Sequence, residues 1–299
     1  MNEFRISLAS VAAAALLLGG AAFAPSALAQ TGGNEQAPAQ QQQAPDLSTL
    51  PFKEKNELAS KGDVAAQVSL AKDHLEGANG ARKSITRAAR WLTAAAEKGD
   101  ADAQFLLAGL LLEGSKDLKA NPANALTLFA SAADKGNIEA AYKAAHGYHY
   151  GTGVKPDLTK AVTYYTKAAD GGHVAAKNNL GLMYLQGMGT ERDLSVAFRL
   201  FEDTANAGNA WGQNNLGGMY EMGWGTAKDA GKAIELYEKS AAQGNPHGQQ
   251  NHARLKAVLA AAQPAGGGNA AETAPPAATG ENTSVDSASG QQAGQSGTN

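Results

Sequence analysis

Glycine recurs along this chain with a period that few folds can accommodate. Gly62, Gly99, Gly136, Gly172, Gly208 and Gly244 are separated by 37, 37, 36, 36 and 36 residues. Fifteen residues after each of the first five stands a second glycine, at Gly77, Gly114, Gly151, Gly187 and Gly223. In the last three units a third follows two residues later, at Gly153, Gly189 and Gly225. A repeat of this length is one supersecondary unit. It cannot bury its apolar face alone, so its copies must stack.

Each unit reads as two helices. The first begins just after the closing glycine. Four residues in stands Ala66, Ala103, Ala140, Ala176 or Gly212, and eight in stands Leu70, Leu107, Ala144, Leu180 or Leu216. Nine in is small again (Ala71, Ala108, Ala145, Gly181, Gly217), and twelve in is His74, Leu111, Tyr148, Tyr184 or Tyr220. These positions share one face of a 3.6-residue helix. The second helix starts at Ser84, Asn121, Asp157, Asp193 or Asp229, side chains that accept from unpaired N-terminal amides. Its stripe is Ala88, Ala125, Ala161, Ala197, Ala233, then Leu92, Phe129, Tyr165, Phe201, Tyr237. Start, stop and packing signals therefore agree in every unit. They predict an all-α, right-handed solenoid of helical hairpins over residues 47–262, with units near 62–98, 99–135, 136–171, 172–207 and 208–243. A half-unit cap is expected over 51–61 and a final helix over 246–262, where Gln249, Gln250, Asn251 and Arg254 suit a capping role.

The ends of the chain differ in kind. Residues 1–29 carry Arg5, an apolar stretch from about Leu8 to Leu18, Pro25 and the small-x-small run Ala27-Leu28-Ala29. This pattern predicts a bacterial export signal cleaved after Ala29, with a periplasmic or secreted product. The apolar stretch is shorter than the roughly 20 residues of a spanning helix, so no transmembrane segment is expected after cleavage. Residues 30–46 and 263–299 are rich in Gln, Ala, Pro, Gly, Ser and Thr, and are expected to be disordered. The segment from Lys53 to Lys256 holds 24 basic and 22 acidic residues, a balance that argues against nucleic acid as the main partner. The chain has no cysteine. That excludes a disulfide framework, a cysteine nucleophile and a thiolate metal site.

The pattern Ala-x-x-x-Leu-Gly-x-x-Tyr-x-x-Gly-x-Gly, then Asp-x-x-x-Ala-x-x-x-Tyr-x-x-Ala-Ala-x-x-Gly, resembles the Sel1-like repeat, a relative of the tetratricopeptide repeat. Units 4 and 5 match best, through Asn179-Leu180-Gly181-Leu182-Met183-Tyr184 and Asn215-Leu216-Gly217-Gly218-Met219-Tyr220. Units 1 and 2 lack the third glycine and the tyrosine, and carry one extra residue. The resemblance implies a non-catalytic platform for protein partners, similar to exported regulators of sensor kinases or scaffolds of exopolysaccharide and envelope machinery.

Three motifs could carry chemistry instead. Ser69 and Lys72 have the Ser-x-x-Lys spacing of penicillin-recognising enzymes, but no Lys-Thr-Gly or Ser-Asp-Asn accompanies them. His146, His149 and His173 could share a metal, yet no cysteine or well-placed acid completes a set, so no metal or other cofactor is expected. The Gly-x-Gly pairs lack the preceding strand and lysine of a phosphate loop, and read as helix–helix turns.

The better candidate is a surface. In related solenoids the first helices line the concave face, and their third and seventh positions avoid the packing stripe. The third position holds Ala65, Asp102, Glu139, Ala175 and Trp211; the seventh holds Ser69, Leu106, Lys143, Asn179 and Asn215. Trp211, Asn179, Asn215, Lys143 and Glu139 are the expected contacts to a protein or peptide partner. Two roles stay open for Asn179 and Asn215, contact with a partner or stabilising the solenoid by bonding neighbouring backbone. Trp211 could also pack on the final helix. Trp224, in an exposed turn, is a weaker contact candidate, and Trp91 is expected to be structural. A peptidoglycan or carbohydrate binder using Trp211 and the groove tyrosines is the alternative within the binding class.

Overall fold

A computed structural model describes residues 46–47 and 49–262. The expected export signal, the tail beyond 262 and all but the last residue of the 30–46 linker lie outside the described residues. Twelve helices occur among the described residues, with no strand: α1 (Phe52–Ser60), α2 (Val64–Glu76), α3 (Ile85–Glu97), α4 (Ala101–Glu113), α5 (Pro122–Asp134), α6 (Ile138–Tyr150), α7 (Leu158–Asp170), α8 (Val174–Gln186), α9 (Leu194–Asn206), α10 (Ala210–Met222), α11 (Ala230–Ala242) and α12 (Pro246–Ala262). Each packs on the next in chain order. This is the expected all-α solenoid: α2/α3 to α10/α11 are five hairpins, with α1 and α12 at the ends.

The second-helix caps lie where the sequence puts them. Ser84, Asn121, Asp157, Asp193 and Asp229 each accept from a backbone N–H of the following turn. The first helices have caps too, which the sequence reading did not identify. Asp63, Asp100, Asn137, His173 and Asn209 accept from the amide three residues on, and Asn245 accepts from His247 and Gly248. These six residues also close the preceding helix. The backbone N–H of Asp63 reaches the Leu58 carbonyl at 3.1 Å, and the bond recurs from Asp100, Asn137, His173, Asn209 and Asn245. One residue thus ends a hairpin and starts the next, which leaves little freedom between units.

The third glycine has its reason in the stack. Gly153, Gly189 and Gly225 adopt φ of 74°, 70° and 70°, which disfavours side chains. A Cβ there would also strike the start of the preceding unit's second helix, at Pro122 and Ala123, at Leu158 and at Leu194 respectively. The ninth-position glycines make a different close approach: Gly181 admits the Phe201 ring and Gly217 the Tyr237 ring. The core is consequently a series of small clusters of alanine around one large side chain per hairpin. Leu92, Tyr165, Phe201 and Tyr237 are each no more than 2% exposed.

Candidate functional site

The first helices present neighbouring faces to one another along the stack, and the polar side chains on these faces fall into an inner and an outer set. The inner set includes two of the expected contact residues. Asn179 is buried and donates to the Tyr165 hydroxyl at 3.3 Å. Asn215 is buried and donates to Asn178 at 2.9 Å while accepting from Asn214 at 3.3 Å. Asn251 of α12 donates to Asn214 at 2.9 Å. The bond from Asn215 to Asn178 and the bond from Asn251 to Asn214 span the same register, so α8, α10 and α12 are stitched by one repeated amide contact. Asn179 and Asn215 are both buried and bonded inside the solenoid rather than held out to a partner, but their bonds run to side chains and not to the backbone expected from the sequence. Buried amides exist at low cost only when bonded, and these two are bonded, Asn179 to a tyrosine hydroxyl and Asn215 to neighbouring amide side chains.

The outer set centres on α6. Glu139, Tyr142, Lys143, His146 and Tyr150 follow one another at helical spacing along one face. Glu139, Lys143 and Tyr150 are exposed, with Tyr150 at 45%. Lys143 lies 3.9 Å from Glu139 and 6.0 Å from the centroid of the Tyr142 ring. The Tyr142 ring stacks on His173 at 4.3 Å, and His146 packs against Tyr150 at 4.5 Å. Inside this stripe His149 lies edge-on to Tyr165, its Nδ1 3.5 Å from the hydroxyl. Burial, and then the neighbouring His146 charge, hold His149 below its ordinary pKa.

His173 links α6 to α8. Its Nδ1 accepts from Ala176 N–H at 3.1 Å, and its Nε2 faces Glu139 at 3.3 Å. With Nδ1 accepting, Nε2 is the nitrogen that donates to Glu139. The hydrogen bond from His173 holds the Glu139 carboxyl below its usual value of 4.5; partial burial opposes this and the Lys143 charge reinforces it. A carboxyl lowered on folding contributes stability above its unfolded pKa, and the contribution is lost as pH falls through the lowered value. Glu139→Gln is therefore expected to lower the urea midpoint at neutral pH. The gap from the unmodified chain should close on acidification below 4.5. A gap that does not change with pH would contradict this coupling.

The remaining candidates separate by position. Trp211 is half-buried and its ring lies 5.6 Å from His247 on α12, so it packs on the final helix while keeping an open edge. Trp224 is half-buried as well, not held out in an exposed turn: it packs on the cluster around Phe201, and the Arg192 guanidinium sits 5.9 Å from its centroid. Trp91 packs on two core clusters. The Ser69 hydroxyl donates to the Leu47 carbonyl at 3.3 Å, so it is directed at the N-terminal segment. Among the described residues no three His, Cys, Asp or Glu side chains come together as a metal set, and no helix is long and apolar enough to cross a membrane.

In α12, Arg254 forms a paired bridge to Glu221 of α10 at 2.7 Å through each nitrogen, and the Tyr237 hydroxyl donates to the same carboxyl at 2.8 Å. Burial raises the Glu221 pKa, but the Arg254 and Tyr237 hydrogen bonds outweigh it and the net shift is downward. The polar residues that suit the final helix to a capping role therefore include two, Asn251 and Arg254, that fasten it to the stack.

Comparison with known proteins agrees with this architecture. No curated protein matches the chain. A protective antigen of uropathogenic Escherichia coli strains, solved with an SLR fold, is 26% identical with a TM-score of 0.56. That match covers 71% of this chain and 53% of the antigen, so this chain spans about half the length of that protein. A Sel1 repeat protein from Oxalobacter formigenes is 25% identical with a TM-score of 0.57, covering 71% of this chain and 88% of that one. The Sel1 repeat pattern itself matches residues 64–100, 101–137, 138–173, 174–209 and 212–245, and on these five repeats the chain belongs to the Sel1 repeat family, a scaffold fold that typically mediates protein–protein interaction.

Proposed function

We propose that this chain is an exported, non-catalytic adaptor or regulator of the bacterial cell envelope, which binds a protein or peptide partner through the face formed by its first helices. The observation that carries the reading is the α6 stripe. At the equivalents of Glu139, Lys143 and Tyr150 the next first helix has Ala175, Asn179 and Gln186, of which Asn179 is buried in the stack. Unit 3 thus departs from its neighbour by placing charge and aromatic surface outward, the mixture favoured where proteins meet. Trp211, two units on, supplies a second aromatic edge on the same series of helices. Export rests on the pattern of residues 1–29, and an envelope role in signalling or exopolysaccharide control rests on the family resemblance.

The test is capture from envelope extract with chain 30–299 as bait, beside a bait carrying Glu139→Ala, Lys143→Ala, Tyr150→Ala and Trp211→Ala with unchanged helicity. A protein held by the first bait and released by the second is the expected result. Equal capture by both would move the site off this face. Retention of peptidoglycan fragments at the stripe, with no protein held, would replace the adaptor by a carbohydrate binder.

A further inference from the structure

A second surface lies in the first hairpin, away from the α6 stripe. From Gly77 to Ala96 the chain has four basic residues, Arg82, Lys83, Arg87 and Arg90, and no acid. All four are exposed. The loop that carries the first two is fixed: the Arg82 carbonyl lies 2.9 Å from His74 Nδ1, Ala81 is buried, and Ser84 N–H reaches the His74 carbonyl at 2.7 Å. Arg87 and Arg90 follow on α3, one turn apart, on the side opposite the buried Ala88, Ala89 and Leu92.

Two of the other hairpins neutralise this position, and the remaining two carry no charge there (Asn124 and Val196). Lys160 and Lys232 stand where Arg87 stands, and each pairs with its own helix cap, Asp157 at 3.3 Å and Asp229 at 3.7 Å. In the first hairpin the cap is Ser84, which carries no charge. The nearest acid in sequence is Glu76 at the end of α2. The next loop packs over α3 through Leu118, and brings Lys116 and Lys119 together with Glu113 and Asp117, which leaves the balance unchanged. A fixed loop and one helix face thus hold four guanidinium and ammonium groups without a counter-charge of their own.

We infer that this patch docks the chain on an anionic lipid bilayer. A protein partner would need a desolvated apolar or aromatic anchor among the charges. Here the one large aromatic beside Arg90 is Trp91, which is half-buried and packs against two core clusters. A headgroup surface needs no such anchor: long basic side chains reach a plane of phosphates, and their attraction adds charge by charge within a Debye length. The contact is one of surface charge and requires no insertion.

The test is sedimentation of chain 30–299 with vesicles of phosphatidylcholine alone, or with about one third phosphatidylglycerol, at low salt and at about 0.5 M salt. One variant carries Arg82→Gln, Lys83→Gln, Arg87→Gln and Arg90→Gln. A charge-matched control carries Lys155→Gln, Lys228→Gln, Lys239→Gln and Lys256→Gln. Circular dichroism checks that both variants keep their helicity. The expected result is binding only to the anionic vesicles, lost at high salt, weakened about tenfold or more in the patch variant and little in the control. No binding to anionic vesicles at low salt, or equal weakening in both variants, would overturn the inference. So would retention on an acidic polypeptide matrix with none on vesicles.

Discussion

Phe201→Ala is expected to lower the stability of the solenoid by about 3–5 kcal/mol. The ring is fully buried in the cluster with Leu182, Leu185, Ala197, Ala205, Leu216 and Met219. It fills the space above Gly181, a residue with no side chain to move into the gap. The backbone around it is pinned by the caps at Asp193 and Asn209, so the cavity cannot collapse cheaply. Because each repeat touches only its neighbours, the loss should fall on the fourth and fifth hairpins, with the first two less affected. Urea unfolding followed by circular dichroism measures the total, and amide exchange shows its distribution. A loss below about 1 kcal/mol would mean that the alanine-rich helices close over the gap.

Asp73→Ala should be comparably costly, by about 3–5 kcal/mol, for an electrostatic reason. Lys55 of α1 is fully buried, and its ammonium lies 2.5 Å from Asp73 Oδ2. Removing the carboxylate strands a charge in the interior. It also releases Asn79, whose amide donates to Asp73 Oδ1 at 2.8 Å and whose backbone is held at φ 51°. The expected result is undocking of α1, seen as loss of exchange protection over Phe52–Ser60 before the rest of the chain opens. The paired change Lys55→Met with Asp73→Leu should recover much of the loss, since an apolar pair of similar volume carries no stranded charge. Full stability in Asp73→Ala alone would show that Lys55 finds water.

What the sequence made legible is local. Closing glycines and second-helix caps announce themselves because glycine, serine and aspartate act on their own backbone within four residues. The first-helix caps escaped notice because their identity changes along the chain, from Asp63 to Asn137 to His173, and histidine is an unusual acceptor in that place. Asn178 and Asn214 were missed for a different reason. Their partners stand a full repeat away, and no short-range pattern joins Asn215 to Asn178. The same distance hid the role of the third glycine, which is dictated by the start of the preceding hairpin. Exposure was the least readable property. The seventh position carries the exposed Lys143 in one unit and the buried Asn179, bonded to the Tyr165 hydroxyl, in the next.

The central claim, that the first-helix face around α6 is the recognition surface, is tested most directly by photo-crosslinking in cells. A photoreactive residue would replace Tyr150 on α6 in one strain and Thr163, on the exposed side of α7, in another. The account predicts a discrete protein adduct from position 150 and none from position 163. An adduct from position 163 with none from position 150 would contradict it, and would place recognition on the second helices instead.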